Sequence, residues 1–262
     1  MSSSESATPS TPLTEEAVLD ELEFLATVEH ALIVEYLTAS YALGYGLDDA
    51  SAGGTTAGTV SDAANAFSNL AQTEMAHLRR INFALAGVGR DARMDRAARL
   101  PDDPARAISL EPPDLTQLRS LVVREQAIAA AVDARYAKLT PAVTSAPVFD
   151  DDHLPGLRQV IVDDGPVHAD AVKAVTDQLA GLTPEVFLRA THRDTTDPFE
   201  QSLLDVSDRA YGVVVGVLSE QFDQAKSEPL AALSPLAFPS MQTLDGICRL
   251  LVQRGLLPPF NP

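Results

Sequence analysis

Glu74 and His77 stand three residues apart in a stretch whose other spaced positions are apolar: Phe67, Leu70, Leu78, Ile81 and Leu85. On a helix, residues three or four apart leave the same face. Glu29 sits likewise among Leu22, Leu25, Ala26, Ile33 and Tyr36. Glu125 sits among Leu118, Leu121, Val122, Ile128, Ala129 and Val132. Asp164 and His168 sit among Leu157, Ile161, Val172, Val175 and Leu179. Ionisable groups in an apolar interior cost several kcal/mol each unless they are paired or bound to metal. Four carboxylates and two imidazoles suit two divalent cations. Hard oxygens hold and bridge the ions, and each histidine supplies one neutral nitrogen. The metal-ligand set is therefore Glu29, Glu74, His77, Glu125, Asp164 and His168. Glu29, Glu74 and Glu125 double as catalytic carboxylates, and two iron ions, or manganese, are the expected cofactors.

These residues need helices to carry them. Thr14 before Glu15 and Glu16 is a suitable N-cap, and a first helix is predicted over about 13–47. Gly44, Gly46 and the run Ser51–Thr59 mark a loop. A second helix follows over about 60–86, closed by Gly87 and Gly89. Arg90–Asp114 lacks an apolar period and reads as a long crossover. A third helix spans about 115–139 and a fourth about 157–179, with Gly165-Pro166 inside it. Two further helices are predicted, over about 199–225 and 241–251. Strand-like alternation is scarce, and no solenoid repeat occurs. The fold class is all-α: a four-helix bundle with one crossover between helices two and three, which is the ferritin-like topology. The chain divides into a disordered tail (1–12), the bundle (13–181) and a C-terminal helical extension (182–262).

The sequence also resembles a known group. Val28–Leu43, VEHALIVEYLTASYAL, is similar to the pattern LEHATIPPYLTALYSL of a ferritin-like group. That group includes the ferritin-like region of the iminophenylpyruvate dimer synthases, which act in bisindole pigment biosynthesis. Glu74–Gly89, EMAHLRRINFALAGVG, is similar to its EMLHLALAANLLNAIGG. Glu125 followed by Asp133-Ala-Arg-Tyr136 resembles its third helix, and Val162-Asp-Asp-Gly165 its VEQGEG, with His168 standing for the later histidine. The resemblance covers roughly residues 19–175. It implies metal ligation by Glu29, Glu74, His77, Glu125 and His168. For the fourth-helix acid it points to Asp163 or just beyond, whereas the four-residue spacing to His168 favours Asp164. A break at Gly165-Pro166 would restore Asp163. The shorter arm of Asp could open a coordination position or change the metal spacing.

Other polar residues read more plainly. Glu35 reads as a solvated or helix-pairing acid, or as a support for the ligands. Tyr36 reads as core, or as a hydrogen-bond partner for a ligand carboxylate. His30, His153 and His192 fall outside the stripes and read as surface or loop residues. Cys248 reads as a buried free thiol. The seven arginines between Arg79 and Arg106 could steer an anionic substrate, but read first as a solvated crossover paired with Asp91, Asp95, Asp102 and Asp103.

Composition narrows the classes. The 19 basic and 37 acidic residues give a net charge of −18. That argues against nucleic acid and against anionic membrane surfaces as partners. A single cysteine excludes an intrachain disulfide framework and a cysteine-based zinc or iron–sulfur site. Met1–Pro12 carries no basic start and no apolar run, so a cytoplasmic setting is expected. The function expected first is an O2-dependent di-iron oxidase or oxygenase acting on a small organic substrate. Its alternatives are a ferroxidase or storage protein, an imine-coupling enzyme similar to the dimer synthases, and a metal-free helical partner subunit. The extension could cap a pocket or form the contact of a homodimer.

Overall fold

The computed structural model describes residues 13–45, 55–97, 134–139, 149, 154–163, 166–180, 182, 188–225 and 234–261. Among them, six helices have defined bounds: α1 Glu15–Ala42, α2 Thr55–Gly87, α3 Leu154–Asp163, α4 Pro166–Leu179, α5 Pro198–Ala225 and α6 Ser234–Val252. Residues 134–139 are also helical. No strand is found among the described residues, so the all-α expectation holds. None of the described helices is long and apolar enough to cross a membrane. The predicted tail, most of the crossover and most of the third helix lie outside the described residues.

Local chemistry sets the helix ends. The Thr14 hydroxyl accepts from Ala17 N–H at 3.3 Å, the capping role read from the sequence. α1 stops at Ala42, short of the predicted 47, because Gly44 takes a positive φ of 87°. Tyr45 N–H then reaches back to the Ser40 carbonyl at 3.1 Å. α2 starts at Thr55, ahead of the predicted residue 60. At its far end Gly89 adopts φ 79°, and Arg90 N–H closes on the Leu85 carbonyl at 2.9 Å. The predicted fourth helix is two helices, α3 and α4. Pro166 opens α4, where a first-turn residue needs no N–H of its own.

α1 and α2 pack along their lengths and are tied by the Ser40 hydroxyl, which donates to the Ala64 carbonyl at 2.8 Å. α3, α4 and α5 pack on α2, and α6 packs on α1. Two apolar cores result. One gathers Leu22, Leu25, Phe67, Ile81, Tyr136 and Val172 inside the bundle. The other joins Val34 and Tyr41 of α1 to Tyr211, Val214, Leu244, Cys248 and Phe260 of the extension. α1 lies between the two and is buried on nearly every side. Its last carbonyl, on Ala42, accepts from Arg189 N–H at 2.7 Å, so the start of the extension finishes the helix.

Two of the described arginines after α2 pair with acids of α1. Arg90 reaches Glu16 at 2.6 Å and Glu23 at 3.3 Å, and Arg93 pairs with Glu23, all on α1. Asn82 fixes the same turn by accepting from Arg93 N–H at 2.7 Å.

Candidate metal centre

Glu29 projects from the middle of α1; Glu74 and His77 project from α2 toward it. Glu74 and His77 are 0 % exposed and Glu29 is 1 %. His77 Nδ1 lies 3.1 Å from Glu74 Oε2 and 3.6 Å from Glu29 Oε2. One potential ligand atom from each of the three falls within 4.8 Å of the others. The Tyr136 hydroxyl donates to Glu29 Oε1 at 2.7 Å and orients that carboxylate from the side away from His77. Close packing of α1 on α2 brings these donors together. The three-residue spacing of Glu74 and His77 places both on the face turned to α1.

Burial alone would pull the His77 pKa down. The hydrogen bonds and charges of Glu29 and Glu74 outweigh it and raise the imidazole from 6.5 to about 10. Without metal, the protonated ring neutralises one of the two carboxylates. A divalent cation can take over that role, and the donor set fits one: two hard carboxylates and one imidazole, all shielded from water.

The structure thus brings together Glu29, Glu74 and His77 of the predicted set. Glu125 and Asp164 lie outside the described residues. His168 falls on α4 and the alternative Asp163 ends α3, but neither side chain is among those described.

Two readings of single residues change. His30 is buried, not at the surface: its Nε2 and the Tyr211 hydroxyl are 2.6 Å apart. Burial, and then the charge of Arg96, push its pKa from 6.5 down to about 4, so it stays neutral. Glu35 is buried rather than solvated. The burial of His30 follows from α1 having a second packed face, against α5 and α6, which a single apolar stripe does not reveal. Tyr136 supports Glu29, a role the sequence pattern does not reveal. Other readings stand. Tyr36 is core and packs near Phe67. His192 is exposed and His153 lies outside the described residues. Cys248 is a buried free thiol, with burial raising its pKa to about 12.

Helices of this arrangement carrying a buried carboxylate–histidine cluster define a ferritin-like protein. The sequence model of the ferritin-like family matches residues 23–153, half of the chain and inclusive of Glu29, Glu74 and His77. The chain belongs to the ferritin-like family. No curated protein and no solved structure matches it.

Proposed function

We propose that this protein is a non-haem di-iron oxidase or oxygenase acting on a small organic molecule in secondary metabolism. The observation that carries the reading is the buried trio of Glu29, Glu74 and His77, with ligand atoms within 4.8 Å of one another. In the proposal, Glu125, His168 and an aspartate at 164 or 163 complete the ligands. Glu29 and Glu74 hold the cations, and His77 gives a neutral nitrogen once its proton has left. Tyr136 keeps Glu29 Oε1 in place by donating its hydroxyl. Packing of α1 on α2 excludes bulk water from the carboxylates, which strengthens their hold on charge. Ferrous ions held by these residues would supply the electrons for the reduction of O2. The likeness of Val28–Leu43 and Glu74–Gly89 to the ferritin-like region of the iminophenylpyruvate dimer synthases supports the placement in secondary metabolism. A cytoplasmic location belongs to the same reading.

The test is metal analysis after expression with iron, on the wild type and on Glu74→Ala and His77→Ala. Two irons per chain in the wild type, lost in both variants, is the expected result. Unchanged metal content in both variants overturns the proposal. Substrate-dependent O2 consumption by the iron-loaded wild type then separates oxygen chemistry from passive storage.

A further inference from the structure

Among the described residues, seven large hydrophobic side chains are exposed, and six of them lie on α5 and α6. On α5 they recur at one seven-residue interval: Phe199 (57 % exposed), Val206 (47 %) and Val213 (55 %). Between them Leu203, Ala210 and Val217 are half-buried, so the six follow a 4-3-4-3-4 spacing. That spacing is the seam of a helix that packs along another helix. α6 shows a matching line. Leu236 and Leu250 are exposed two heptads apart, with Thr243 exposed midway.

The two lines share one outer surface. α5 and α6 run antiparallel. Ser207 and Cys248 meet at 3.9 Å between them, and Arg254, just past α6, lies 3.7 Å from Glu200 and over the Phe199 ring. Tyr211 and Val214 of α5, and Leu244 and Cys248 of α6, turn inward to α1. The exposed lines are rotated away from that core.

We infer that this face is where two copies of the chain associate, α5 against α5 about a two-fold axis. Three observations favour a second copy as the occupant. The seam is self-complementary. An antiparallel copy sets Phe199 against Val217, Leu203 against Val213 and Val206 against Ala210, each pairing made twice by symmetry. The charge fits as well. Two chains of net charge −18 repel each other, and Ala210–Ser219 is a ten-residue stretch without an acidic or basic side chain. The area suffices. Phe199 to Val217 is ~27 Å of helix, and two adjoining helices are ~20 Å wide. The projected face is then ~540 Å², or ~1,080 Å² over the two copies, just past the ~1,000 Å² total that a specific interface should clear.

The test is light-scattering mass behind size-exclusion chromatography at about 100 and about 1 µM, on the full chain and on a Val206→Glu/Val213→Glu variant. Both positions are exposed, so helical circular dichroism should match the wild type, while Tm should differ only by the stabilisation that dimer formation adds to the wild type. The expected wild-type mass is twice the 27.8 kDa of the chain. The variant, which sets glutamates against Ala210 and Leu203 of the facing copy, should have a dimer Kd raised by about 100-fold or more. Should the double glutamate variant fold poorly, Val206→Ala/Val213→Ala is expected to raise the dimer Kd in the same direction. A wild-type monomer at the higher concentration overturns the proposal and leaves the face to a different protein. A dimer as tight in either well-folded variant as in the wild type overturns it as well.

Discussion

Replacing Tyr136 with phenylalanine removes one hydroxyl and little else. That hydroxyl donates to Glu29 Oε1 at 2.7 Å, and both residues are buried. A hydrogen bond to a buried charged group contributes roughly 1.5–3 kcal/mol. Near 60 °C the unfolding entropy is about 2.1 cal/mol/K per residue, so a chain of 262 residues has ~0.55 kcal/mol/K. A loss of ~2 kcal/mol therefore lowers the Tm of the metal-free protein by ~4 °C. Removing a support of a metal ligand also weakens metal binding, by about 10- to 100-fold. Tyr41→Phe is the matched control. It removes another buried phenol, one that donates to Asp245 at 2.9 Å in the core of the extension. Thermal unfolding by circular dichroism should show a drop of similar size in both variants. Titration with Co2+ should show weaker binding in Tyr136→Phe alone. Equal metal affinity in Tyr136→Phe and wild type, or an equal loss in Tyr41→Phe, would refute the assignment of Tyr136 as the support of Glu29.

Two pH dependences follow from the histidines. His77 is protonated up to about pH 10 in the metal-free protein, and a metal needs it neutral. Co2+ affinity should thus rise about tenfold per pH unit between 6.5 and 8.5, with one proton released per His77 ligated; affinity independent of pH would contradict this. His30 moves the other way, from 6.5 unfolded to about 4 folded. Between those values the unfolded chain binds the extra proton, so its contribution to stability is full above pH 6.5. It is lost as pH falls toward 4, by up to ~3 kcal/mol. Denaturant unfolding of wild type and His30→Gln at pH 7.5 and 4.5 should show the smaller acid-induced loss in the variant, and parallel losses would count against a buried neutral His30.

Much of this was legible in the residues themselves. Polar breaks in apolar stripes marked Glu29, Glu74 and His77, because a helix turns spacing directly into a face. Thr14 and Gly89 marked helix ends, because capping is local chemistry, whereas the end of α1 at Gly44 comes earlier than the apolar spacing indicates. His30 misled for a definite reason. It lies on α1 next to Glu29, and one apolar stripe says nothing of a second partner on another side of the helix. The break signal of Gly165-Pro166 was visible too, and Pro166 opens α4.

What the chain determined by itself is the all-helical class, the helix ends set by caps, and the paired Glu74 and His77, since each depends on neighbours within one or two turns. Tertiary structure alone decided that Glu29 meets that pair, that Tyr136 supports it, and that the extension encloses the other face of α1. Those contacts join residues far apart in sequence. Their free energy comes from burying two faces of one helix at once, which no local pattern encodes.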